Sequence, residues 1–146
     1  MPKILFIQPS QYRNRSGSLV KQDRLYLPGL VFPLLAAMTP KHWEIDTCME
    51  VIEEVNFDSD ADLVAIGAMG QSLFRGLDIA REFKVRGKTV IFGGYMASMI
   101  PETALDQADS VIIGDAEDAY LELLHDFEHL GKLKRRYEKP VNDLKG

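Results

Sequence analysis

Short apolar runs alternate with amphipathic stretches along this chain. Residues 3–8 (KILFIQ) are a continuous apolar-leaning run closed by Pro9, the pattern of a buried strand. LVFPLLAAM (30–38) predicts a wholly apolar helix, with Pro33 tolerable only in its first turn. HWEIDTC (42–48) alternates as a half-covered strand does, and ADLVAIGAM (61–69) is a second buried strand. In SLFRGLDIAREFKVRG (72–87), Leu73, Leu77, Ile79, Ala80 and Phe83 share one helical face, and Gly87 supplies the stop. KTVIFGG (88–94) is a third apolar run. PETALDQA (101–108) opens with proline and acid, a favourable helix start, and DSVIIG (109–114) is the last strand. DAYLELLHDFEHL (118–130) puts Leu121, Leu124 and Phe127 on one face before Gly131.

Continuous apolar strands separated by helices predict a parallel sheet covered on both faces. The expected fold is therefore α/β: a flavodoxin-like (Rossmann-type), doubly wound, five-stranded parallel sheet of order 2-1-3-4-5. After Gly131, KLKRRYEKPVNDLKG is charged and shows no apolar period. Residues 1–131 are expected to form the domain, and 132–146 a charged linker leading to a C-terminal domain absent from this chain. The basic run KLKRR (132–136) reads as solvated surface. The polar connection 10–28 is too long to be idle in a compact domain.

Composition narrows the function classes. The 146 residues suffice for one core, with 46% apolar and 27% charged residues. A net charge of -5 argues against a nucleic-acid partner, which would require a basic face. No apolar run approaches the roughly 20 residues that span a bilayer, and the N-terminal run is too short for a secretory signal. Cys48 is the sole cysteine, so the chain can build neither a disulfide framework nor a thiolate-only metal site. A reducing, cytoplasmic setting is expected.

In a doubly wound sheet, ligands bind beyond the carboxyl ends of the strands. The segments delivered there are the loop 9–28, GAMGQS (67–72), GGYMAS (93–98) and GDAED (114–118). Gly67, Gly70, Gly93, Gly94 and Gly114 thus share one rim, where bare main chain permits close approach of a ligand. Ordinary tight turns between strand and helix would use the same residues. Phosphate-cradling motifs are absent: there is no GxxxxGK[ST], and no GxGxxG follows the first strand. Phosphoacceptor chemistry lacks its aspartate, because Ile66-Gly67-Ala68 ends the third strand. PSQYRNRSGS matches a flavin phosphate loop poorly. His125 and His129, spaced i, i+4, read as exposed helix positions and His42 as lying at the opposite end of the sheet, with Cys48 as a buried thiol. Asp115, Glu117 and Asp118 crowd a helix start and would repel a phosphate there. The rim therefore offers glycines, small polar groups and Met69, Met96 and Met99, without an acid–base pair. That suits holding a large, flat, partly apolar ligand.

From KILFIQPS through LPGLVFPLLAAM to GDAEDAYLELL, the chain resembles the cobalamin-binding domain found at the N-terminus of radical S-adenosylmethionine enzymes. The most specific part is the succession GAMGQS, RGK, VIFGG, PETAL, ADSVIIGDAE. The resemblance implies that Gly93 and Gly94 admit the lower side of the cofactor, with Tyr95 and Met96 following them. It places Ser72, preceded by Gly67, Met69, Gly70 and Gln71, beside the nucleotide tail, and closes the site with Gly114, Asp115, Ala116 and Glu117. The opening loop, with Ser10 and Tyr12, lies where methionine synthase-type domains carry DxHxxG; here it has no histidine. Cobalamin is then expected without an imidazole from this loop, with Tyr12 or a water facing the metal or the lower position empty. Met96 stands where many members have histidine.

The three-cysteine motif CxxxCxxC of such enzymes is absent, so an iron–sulfur cluster and S-adenosylmethionine are expected only in a C-terminal radical S-adenosylmethionine domain. The reading is a corrinoid-holding module, not catalytic alone, serving methyl transfer or a radical rearrangement. A degenerate docking or substrate-positioning module and a flavin-binding electron carrier are the alternatives.

Overall fold

The computed structural model describes residues 2–13, 17–22, 31–68, 70–93, 100–113 and 116–138, with only the backbone course of 31–34 and 116–118. The elements are β1 (Lys3–Gln8), α1 (Val31–Met38), β2 (Glu44–Met49), β3 (Leu63–Gly67), α2 (Ser72–Val85), β4 (Thr89–Gly93), α3 (Pro101–Leu105), β5 (Ser110–Ile113), α4 (Ala116–Leu130) and β6 (Arg136–Glu138). All the strands pair in parallel, in the order β2-β1-β3-β4-β5-β6.

The continuous apolar runs are explained by burial on both faces. Leu5, Ile7, Val64, Ile66, Val90, Phe92 and Val111 turn to one side, where they meet Leu73, Ile79, Ala80 and Phe83 of α2. Their neighbours Ile4, Phe6, Leu63, Ala65, Ile91 and Ile112 turn to the other, against Leu35 of α1 and Ala119, Tyr120, Leu123 and Leu124 of α4. Each fully buried side chain of this size contributes about 1.5–3 kcal/mol. At Gly76 a Cβ would stand 3.2 Å from a ring carbon of Phe92, so glycine is what lets α2 lie this close to β4. Gly87, at φ 80°, closes α2 in the left-handed conformation, with the Lys88 N–H bonded to the Phe83 carbonyl at 3.0 Å.

Three expectations are corrected. The alternation in 42–48 is not a half-covered strand: β2 is an edge strand with Glu44, Ile45, Asp46 and Thr47 exposed and Cys48 buried, while Trp43 is buried ahead of it. On α4, Leu121 is 39% exposed, and Tyr120 and Leu123 fill the core in its place. Most consequentially, the sheet has six strands, not five. β6 arises inside the stretch expected to be linker and pairs Val111, Ile112 and Ile113 with Arg136, Tyr137 and Glu138.

β6 is held by specific side chains. The Arg135 guanidinium donates to the carbonyls of Leu105, Ala108 and Asp109 at 2.9, 3.0 and 3.2 Å, tying the basic run to the end of α3. Lys134 pairs with Glu122 at 2.6 Å, and Arg136 with Glu102. Tyr137 is 2% exposed; its hydroxyl donates to buried Asp126 at 2.6 Å and accepts from the Lys134 N–H at 3.0 Å. Tyr137→Phe leaves the Asp126 carboxylate without its donor, so chemical denaturation is expected to show a loss of about 1–3 kcal/mol. The denaturant slope should not change, because the chain still buries the same surface.

Candidate functional site at the carboxyl rim

Strand order reverses at β1: β2 lies to one side of it and β3 to β6 to the other. The carboxyl ends of the strands therefore form one rim, the place where this topology opens a crevice. Two stretches of that rim differ in character.

Along β3 and β4 the described strand ends are glycines. Gly67 and Gly93 are paired in register at the strand ends. Gly93 has no positive φ, and no described atom lies within 4 Å of the place its Cβ would occupy. Among the described residues, neither backbone strain nor packing therefore demands glycine there. Gly70, by contrast, needs glycine for its own conformation, at φ 56° in the turn that launches α2. Gln71 is exposed and makes no side-chain cap to α2, and Ser72 is half-buried. Phe74, in the first turn of α2, is 67% exposed close by.

Along β1 and β2 the rim is filled by the chain itself. Glu50, just past β2, is 1% exposed. Its carboxylate accepts from the Ser10 N–H at 3.0 Å and, bidentately, from Arg75 at 2.8–3.1 Å. The Arg75 guanidinium lies 5.9 Å from the Tyr12 ring and donates to its hydroxyl at 3.5 Å, and that hydroxyl donates in turn to Asp78. The Glu50 hydrogen bonds hold the Arg75 pKa well above its ordinary range, while burial and then the Asp78 contact push Tyr12 upward. Ser10 is buried, its hydroxyl donating to the Val20 carbonyl at 2.5 Å. Lys21 donates to the carbonyls of Glu50 and Glu53 at 2.5 and 2.7 Å. Antiparallel contacts, Arg13 to Ser18 and Val20 to Gln11, fold the described parts of the loop back on themselves.

Of the residues expected at the site, Gly67, Gly70, Gln71, Ser72 and Gly93 lie along the β3–β4 stretch. Ser10 and Tyr12 instead belong to the filled one, with their polar groups engaged inside the protein. Met69, Gly94, Tyr95, Met96, Gly114 and Asp115 lie outside the described residues, as does the side chain of Glu117. Sequence reasoning missed Glu50, Arg75 and Asp78. A buried carboxylate and a helix-face arginine carry no periodic signal; the only hint was an acid directly after a strand.

The other polar candidates have structural partners. His42 pairs with Glu128 at 2.7 Å, which also accepts from the Trp43 indole at 2.5 Å. His125 and His129 stack at 4.4 Å between centroids on the exposed side of α4. Among the described residues, no three His, Cys, Asp or Glu side chains are placed to hold a metal, and no helix is long and apolar enough to cross a membrane. Cys48 is buried, and burial pushes its thiol up to about 12.

No protein-family model matches the chain. It is 36% identical over 106 residues to a bacteriochlorophyllide d C-8(2)-methyltransferase of Chlorobaculum tepidum, an alignment covering 72% of this chain and 23% of that protein. The chain thus corresponds to a minor part of the relative's length. The N-terminal domain of a hypothetical protein of Thermotoga maritima superposes with a TM-score of 0.52 at 22% identity, covering 84% of this chain and 99% of that one. That likeness concerns the fold alone.

Burial also raises Tyr120 and Tyr137 from 10.0 to about 12, and Cys48 starts from 9.0. Each of these acids holds its proton more tightly when folded. Their contribution is therefore intact below pH 9 and falls as pH rises from 9 through 12. Circular dichroism should show stability declining across that alkaline window. At pH 8 a thiol reagent should label Cys48 only after denaturant is added.

Proposed function

We propose that this chain is a cobalamin-holding module of a longer radical S-adenosylmethionine methyltransferase. The observation that carries the reading is the Gly67–Gly93 shelf, two glycines in register at adjacent strand ends with no described atom within 4 Å of where a Gly93 Cβ would project. A planar ligand with an apolar underside fits such a surface, because bare main chain lets it approach and a side chain would hold it off. The 36% identity to a methyltransferase supports the reaction class.

A corrinoid bound there supplies the methyl-carrying chemistry. In this proposal the chain's own residues bind and orient it, with Gly67 and Gly93 forming the floor. Gly70, Gln71 and Ser72 receive polar substituents at the start of α2. Tyr12 does not serve as an axial ligand in this reading, since its hydroxyl is committed to Asp78 and Arg75. The iron–sulfur cluster, S-adenosylmethionine and the methyl acceptor are assigned to the remainder of the longer protein.

Purified protein mixed with hydroxocobalamin and passed over a desalting column should keep the corrinoid absorbance. Retention of flavin mononucleotide instead would mean an electron carrier, and retention of neither a docking module. Gly93→Val should weaken corrinoid binding by about tenfold or more while moving stability by less than about 1 kcal/mol, because strand backbone accepts valine and no described atom lies within 4 Å of the added Cβ. Undiminished binding by this variant would put the ligand elsewhere.

A further inference from the structure

The filled stretch of the rim is built around Glu50, whose carboxylate touches two separate segments and whose main chain touches two more. Glu50 continues the parallel ladder through its N–H to the Gln8 carbonyl at 3.0 Å. Its side chain takes the Ser10 N–H, where the first loop leaves β1, and clamps Arg75, one turn into α2. Its carbonyl receives Lys21 from the returning arm of that loop. Arg75 passes the contact on to Tyr12, and Asp78, one turn further along α2, receives the Tyr12 hydroxyl. The segments on the two sides of the strand-order reversal are thereby joined through a single buried ion pair. A carboxylate 1% exposed and an arginine side chain 18% exposed bond strongly to each other, because little water competes with either.

We infer that Glu50 and Arg75 are positioning residues that lock the first loop and the start of α2 into one body, so that the α2 turn (70–72) stands in fixed register beside the Gly67–Gly93 shelf. Such a link is more than general stabilisation. Arg75 is three residues beyond Ser72, so its clamp sets the rotation of the helix turn that borders the shelf. Arginine is required for the geometry: its planar fork bonds the carboxylate bidentately, which a lysine cannot do. The effect on ligand binding rests on the corrinoid reading; the mechanical link does not.

Hydrogen exchange on the full chain tests the link directly, using Glu50→Gln and Arg75→Lys, which keep the size or the charge of each group. In both variants, amides of Ser10–Arg13 and of Ser72–Asp78 should exchange faster together, by about tenfold. Val90–Phe92 in the sheet centre should be unchanged. Acceleration in only one of the two rim segments, or an equal acceleration in β4, overturns the inference, the latter because it would reveal simple loss of global stability. With hydroxocobalamin as ligand, the variants should show a dissociation constant raised by about tenfold at a temperature where both remain folded. An unchanged constant there removes the positioning role. If the unaltered protein binds no corrinoid, the proposed function falls, and the exchange pattern alone still decides whether the two segments move as one.

Discussion

The sheet of this protein is apolar on both faces, and that constraint governs everything built on it. Ile4, Phe6 and Ile91 look one way and Leu5, Ile7 and Phe92 the other, all nearly or wholly excluded from water. A strand of this kind is stable only between two layers of helix, and helices on both sides require crossover connections and parallel strands. Parallel strands, in turn, bring all their carboxyl ends to one rim. The location of any binding surface follows from the packing before a single functional residue is considered.

At that rim two solutions to the same problem stand side by side. Over β1 and β2 the exposed strand ends are satisfied internally, by a carboxylate, a guanidinium, a phenol and a lysine whose hydrogen bonds close on one another. Over β3 and β4 the described strand ends are two glycines in register, with no described atom within 4 Å of the place a Gly93 Cβ would occupy. The polar groups of Ser10 and Tyr12 are engaged in the internally bonded stretch.

The opposite edge of the sheet shows how a short element can escape notice. β6 is three residues long with Tyr137 alone buried, flanked by charged neighbours. No periodicity exists in three residues. What makes it a strand is the Tyr137 hydroxyl reaching Asp126 and the Arg135 guanidinium gathering the carbonyls at the end of α3, contacts between residues far apart in sequence. β2 failed in the reverse sense. Its alternation was real, but at the sheet edge no described helix covers Ile45, and an alternating pattern does not say whether a covering layer exists.

Local pattern by itself determined the strands β1, β3, β4 and β5, the two long helices, their stops at Gly87 and Gly131, and the gathering of glycines at strand ends. Each of these depends on residues within a few positions of one another, where hydrophobic period and backbone freedom act directly. Only the tertiary structure decided that Gly67 and Gly93 lie in register, that Glu50 is buried against Arg75, and that Arg136–Glu138 completes the sheet. Those outcomes rest on strand pairing and on charge partners brought together from distant positions, and a carboxylate in a linear sequence looks the same whether water or a guanidinium will surround it.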